Sequence, residues 1–172
     1  MKRRVFMLLI VPFITLTSGC GVYSFTGGSI GALKTVSVPI FENTAALVNP
    51  NLSQSFTEAL KARIRSQTSL SFVRTEGEAN FEGRITDYNI QPVAIQGNQK
   101  VTAGLTRLTI TVQVKYINRL KGEEAKSFDQ AFTRYVDFDQ TKGSFASQEQ
   151  NLVKQVNDQL TEDIYNKAFA NW

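Results

Sequence analysis

Between Leu108 and Tyr116 the chain alternates without a break. Leu108, Ile110, Val112, Val114 and Tyr116 are apolar or aromatic, and Thr109, Thr111, Gln113 and Lys115 stand between them. Successive side chains of a strand point to opposite faces, so this stretch predicts a strand with one face in a core and the other in a polar setting. Phe128, Phe132, Val136 and Phe138 then alternate with Asp129, Thr133 and Asp137, and the turn at Lys121–Glu124 predicts that the two strands pair antiparallel. The rest of the chain must cover the apolar face of that pair.

Two helical stripes can supply the cover. Leu52, Phe56, Leu60 and Ile64 recur every four residues, with Ala59 on the same side and Glu58, Lys61 and Arg65 opposite. Asn49 and Pro50 suit a helix start, and the helix is expected to end near Gln67. Leu152, Val156, Leu160 and Ile164 repeat the pattern in a second helix running to about Ala168, with Ser147 and Gln150 spaced as a capping box.

Shorter signals complete the order. Val36, Val38 and Ile40 alternate with Thr35 and Ser37 across Lys34–Phe41, with Pro39 marking an edge or bulge, and a loop is expected from Glu42 to Asn51. Leu70, Phe72 and Val73 read as a short strand. Phe81, Gly83 and Ile85 alternate before the phase slips to Tyr88 and Ile90, which predicts a bulge near Asp87. Pro92 and Gly97 loosen that strand, and Asn98–Gly104 reads as a polar hairpin connection. The predicted fold class is α+β: a two-layer sandwich with two amphipathic helices on one face of a mostly antiparallel sheet of about four strands. A hydrophobic content of 42% is enough for one such core.

The N-terminus carries a different message. Met1, Lys2, Arg3 and Arg4 precede an apolar run from Val5 to Leu16, then Thr17, Ser18, Gly19 and Cys20, the layout of an export signal. The run contains Pro12 and is shorter than the roughly 20 apolar residues that a membrane-spanning helix needs. A cysteine at the cut site marks lipoprotein processing, although Thr17 stands where leucine is usual and Leu16 lies one place further back. Residues 1–19 are expected to be removed, 20–33 to form a lipidated Gly- and Ser-rich tether, and 34–172 to form a single domain. Loss of Lys2, Arg3 and Arg4 leaves 16 basic residues against 15 acidic ones. A net charge of +1 provides no basic field for nucleic acid.

Candidate chemistry is sparse. The chain has no histidine, and Cys20 is its sole cysteine, so Ser-His-Asp triads, Cys/His pairs and Cys/His zinc sites are unavailable. Asp137, Asp139 and Thr141 begin like a calcium loop, but Lys142 stands where glycine is required and Gln148 where the closing glutamate belongs. They read as solvated turn residues, as do Glu123 and Glu124. Gly27, Gly28 and Gly31 lack the Lys-Ser/Thr that a phosphate loop needs. No enzymatic activity, cofactor or metal is expected. Arg84, Arg107, Lys115, Arg119 and Arg134 either gather positive charge on one side or at the ends of the sheet, suiting a phosphorylated amphiphile, or scatter it over a balanced surface. Tyr88, Tyr116, Tyr135, Phe138 and Phe145 lie near strand ends, where core packing accounts for most of them.

Several segments together carry a resemblance: Gly19–Phe25 around the processed cysteine, Val36–Asn43 (VSVPIFEN), Leu52–Leu60 (LSQSFTEAL), Phe81–Tyr88 (FEGRITDY) and the final Leu160–Trp172. In their order the chain resembles the LptE family of lipopolysaccharide-assembly lipoproteins, in the form seen in Bacteroidetes. The resemblance implies two helices against a four-stranded sheet. It also implies an outer-membrane location and a place inside the β-barrel LptD, where such a protein assists barrel assembly and lipopolysaccharide delivery. The resemblance carries over no ligand-binding residue; the candidate lipopolysaccharide contacts are chosen from the strand cations, namely Arg84, Arg107, Lys115 and Arg134. The alternative expectation is a lipid-anchored, periplasm-facing module that binds an amphiphile or scaffolds another envelope complex.

Overall fold

The computed structural model describes residues 30–47, 49–93 and 105–170. Six strands and two helices follow in the order β1 (Thr35–Ser37), β2 (Glu42–Asn43), α1 (Leu52–Gln67), β3 (Ser71–Phe72), β4 (Ala79–Pro92), β5 (Leu105–Asn118), β6 (Phe128–Asp139) and α2 (Phe145–Phe169). The long strands β4, β5 and β6 form an antiparallel meander. The short strands β1 and β2 both pair parallel to β4, and β3 lies outside β1, so the sheet is mixed and its order is β3-β1-β4-β5-β6. Both helices lie on one face, as the two stripes require; the sheet has six strands against about four expected, the short strand read at Leu70–Val73 is β3, and β2 is the strand with no signal of its own.

The sheet's inner face is made by the alternation already read in the sequence. Leu108, Ile110, Val112, Val114 and Tyr116 are buried beneath Phe56, Leu60, Ile64, Leu160 and Ile164 of the helices. In β4 the register shifts between Ile85 and Asp87. The extra residue, Thr86, is exposed, and the bulge lets Ile85 and Tyr88 both turn inward despite their odd spacing. Phe81, Tyr116 and Phe169 pack ring to ring at centroid distances of 4.8 to 5.9 Å, closing the core at the C-terminal end of α2.

Three local expectations are corrected. The first strand stops at Ser37 instead of reaching Phe41, because Pro39 has no N–H to continue a ladder. Ile40 is consequently 67% exposed, and Phe41 takes the inward place, edge-on to Phe56. Its N–H donates to the buried Thr57 hydroxyl at 3.1 Å, which pins this segment to α1. The expected loop after Phe41 contains β2, whose Glu42 and Asn43 pair with Arg84 and Ile85. The second helix begins a turn early: Ser144, not Ser147, is the N-cap and accepts from the Ser147 N–H. The additional turn places Phe145 against Phe138, with ring centroids 5.5 Å apart.

The helices run side by side in the same direction. Asn49, just before α1, donates to Glu149 near the start of α2 at 2.7 Å, and Tyr165 near the end of α2 donates to the Gln67 carbonyl at 3.4 Å. Between these ends Arg63 reaches across to the Asp158 carbonyl and the Thr161 hydroxyl. Ile30 and Leu33, at the end of the expected tether, pack on the core.

Candidate docking face

With both helices on one side, the other side of β4, β5 and β6 is left without a covering layer among the described residues. The side chains on it are the polar partners of the core alternation: Glu82, Arg84, Asp87, Asn89 and Gln91 from β4, Arg107, Thr109, Thr111, Gln113 and Lys115 from β5, and Asp129, Thr133, Tyr135 and Asp137 from β6. Direct cross-strand pairing ties them into rungs. Arg107 donates two hydrogen bonds to Asp137 at 2.7 and 2.9 Å, the Thr111 and Thr133 hydroxyls meet at 2.9 Å, and the Gln113 amide donates to Asp129 at 2.6 Å. Such rungs hold long polar side chains in place over a strand surface.

The structure separates the four cations named from the sequence. Arg84, Arg107 and Lys115 stand on the open face, whereas Arg134 lies on the helix side, where it grips Asp163 of α2 in a bidentate pair. Arg107 and Lys115 are eight residues apart on one strand, about 27 Å at the usual rise. Arg84 pairs with Gln113 and so stands nearer to Lys115. The Arg107 guanidinium is also 3.7 Å from the centroid of the Tyr135 ring, sandwiched between that ring and a carboxylate. Its bidentate hydrogen bonds hold the Asp137 carboxyl below the usual carboxylate range. Tyr135, half exposed, reads in the sequence only as an aromatic near a strand end; its place as a stacking partner follows from the register, which sets it diagonally across from Arg107. Cys20, Gly27, Gly28 and the hairpin connection at 98–104 lie outside the described residues.

The carboxylates of the turn are committed locally. Asp139 accepts from both the backbone N–H and the hydroxyl of Thr141, which lowers its pKa. Glu123 accepts from Asn118 and Lys126, and Glu124 from the Gly122 N–H. Among the described residues no group of three or more acids, cysteines or histidines is placed to hold a metal ion. No helix among them is long and apolar enough to cross a membrane.

On the helix side, Glu149 gathers two donors that join the layers. The Tyr88 hydroxyl, from β4, donates to its Oε1 at 2.6 Å, and the Asn49 amide donates to the same oxygen at 2.7 Å. Burial, and then the bond to this carboxylate, raise the Tyr88 pKa; burial likewise raises those of Tyr116 and Tyr165. The folded protein therefore keeps protons that the unfolded chain releases above about pH 10, so their stabilisation is complete below that pH and is lost as pH climbs toward the folded values. Thermal unfolding followed from about pH 8 to 11.5 should show a falling midpoint, and Tyr88→Phe should flatten the fall. A midpoint constant over that range would contradict this assignment.

The model of the lipopolysaccharide-assembly family, LptE, matches residues 33–168, nearly the whole of the described domain. The chain belongs to the LptE family. A search of curated proteins by sequence gives no match. Among solved structures, a minor lipoprotein from Acinetobacter baumannii is similar at 16% identity with a TM-score of 0.49, over 78% of this chain and 91% of that one. Rare lipoprotein B from Shewanella oneidensis is similar at 11% identity with a TM-score of 0.48, over 76% and 90% of the two chains. A hypothetical protein from Chlamydia trachomatis stands at 11% and 0.49, over 76% and 93%. As an LptE-family lipoprotein the chain takes part in lipopolysaccharide assembly, and the family is not enzymatic.

Proposed function

We propose that this LptE-family protein is anchored to the outer membrane by lipid on Cys20 and sits in the lumen of an LptD-type β-barrel, supporting its assembly and the insertion of lipopolysaccharide. In this reading residues 1–19 are removed on export and 20–33 lead from the lipid to the folded domain. The observations that carry it are the family match over residues 33–168 and the breadth of the open sheet face. The uncovered side of an antiparallel sheet is ordinarily polar, and here Thr109, Thr111, Gln113, Thr133 and charged neighbours extend it along three long strands. A barrel lumen is polar and water-accessible, so a plug needs a polar, hydrogen-bonding exterior of this kind. Arg84, Arg107, Lys115 and Arg134, the candidate lipopolysaccharide contacts, do not form a single cluster, since the fold holds Arg134 on the helix side, bonded to Asp163, and commits Arg107 to Asp137.

Affinity-tagged full-length protein, extracted from its own membranes in mild detergent, should bring down an LptD-type barrel in near-stoichiometric amount. Recovery of the tagged protein without any barrel would sink the reading.

A further inference from the structure

The charge on the open face has the opposite sign from that expected of a surface for an anionic glycolipid. Cross-strand register places Glu42 beside Arg84, sets Lys115 between Glu82 and Asp129, pairs Asp137 with Arg107, and puts Asp87 opposite Thr111. Five carboxylates thus share this face with three cations. Every cation has an acid as its direct or bonded neighbour, while Glu42, Glu82 and Asp87 form no salt bridge with any described residue. At the usual strand spacings the face is roughly 40 Å long and 15 Å wide. That approaches the area of about 800 Å² that one partner contributes to a standard interface.

From this we infer that the open face docks on a protein surface carrying an excess of Lys and Arg, namely the part of the partner barrel's inner wall that lies against β4 and β5. The inference rests on the reading of the protein as a barrel plug and adds the chemistry of the contact. Complementary potential speeds encounter and fixes which side of a plug faces the wall. With helices on one face and an acidic sheet on the other, the domain has two sides of different character. A basic strip on the wall would select one of them. An anionic surface pressed here would meet Glu42, Glu82 and Asp87 before it could satisfy Arg84 or Lys115.

The test uses full-length protein co-expressed with its barrel. The variant Glu42→Gln/Glu82→Gln/Asp87→Asn keeps side-chain size and removes three carboxylate charges that form no salt bridge among the described residues; Arg84→Gln/Lys115→Gln removes the two cations of this face that form none with a described residue. Circular dichroism melts verify that both fold. The acid-neutral variant should bind the barrel about tenfold more weakly at low salt and lose most of the salt dependence seen with wild type, while the cation-neutral variant should bind as tightly as wild type or more so. Acid-neutral protein that binds like wild type, or cation-neutral protein that loses binding, would overturn the inference and leave the plug reading intact. Failure of the wild type itself to bind any barrel removes the plug reading and this inference with it.

Discussion

Cys20→Ser should leave the precursor without lipid and uncut. Attachment of diacylglycerol forms a thioether, which needs a sulfur nucleophile; a serine hydroxyl, far less acidic than a thiol, does not substitute. Cys20 is the chain's sole cysteine, so no second thiol can take over. The energetic consequence is large, because each buried methylene contributes about 0.8 kcal/mol and stable anchoring requires more than one acyl chain. Feeding cells a fatty-acid analogue and fractionating them reads both effects: wild type should be labelled and sediment with membranes, and the serine variant should be unlabelled and migrate as the larger precursor. Label on the serine variant would refute the anchor.

The second large effect is expected at Gly83, on the inner face of β4. A Cβ built there would collide with the Gln113 carbonyl oxygen and stand 2.6 Å from Cε1 of Phe41. The first is backbone of the neighbouring strand and cannot swing away. The second belongs to a ring already wedged against Phe56. Gly83→Ala therefore has to part β4 from β5 or push Phe41 out of the core, at a cost of about 2–4 kcal/mol. In a domain of this size that lowers the melting midpoint by roughly 10 °C. Ala substitution at Gly122, whose Cβ would meet nothing within 4 Å, tests instead only the strain of its positive φ. If Gly83→Ala melted within about 2 °C of wild type, the close approach would not exist as described.

Much of this fold is legible in the sequence because a single period governs each long element. Leu52, Phe56, Leu60 and Ile64 are all fully buried, as are Val156, Leu160 and Ile164, so the four-residue stripe is enough to orient both helices. The bulge is legible too, since the slip from Ile85 to Tyr88 cannot be accommodated on one face of a regular strand. What escapes is whatever depends on few residues or on distant partners. Glu42 and Asn43 make a strand only because β4 offers an edge, and two residues have no period to detect. Ser144 and Ser147 are equally good caps in isolation; the choice of Ser144 follows from the gain of packing Phe145 on Phe138, a contact between separate elements. The candidate site is the extreme case. Each polar residue of the open face was visible as the partner of an apolar one, but its balance of charge was not, because that depends on register: which acid stands across from which cation. Arg134 illustrates the point. Its even spacing from Phe132 and Val136 puts it on the inner side, yet only the position of α2 supplies Asp163 as its counterion.

The parallel run of α1 and α2 has a temporal consequence for a chain that is made N-terminus first. β1 and β2 have no edge to join until β4 arrives, and the stripe of α1 cannot close its side until α2, almost the last segment of the chain, has crossed. β4, β5, β6 and α2 are contiguous and can assemble among themselves. The stripe of α1 must instead wait for α2, about a hundred residues further along the chain, and such long-range closure is slow. Leu52, Phe56, Leu60 and Ile64, all fully buried at the end, are therefore the core side chains whose covering comes last.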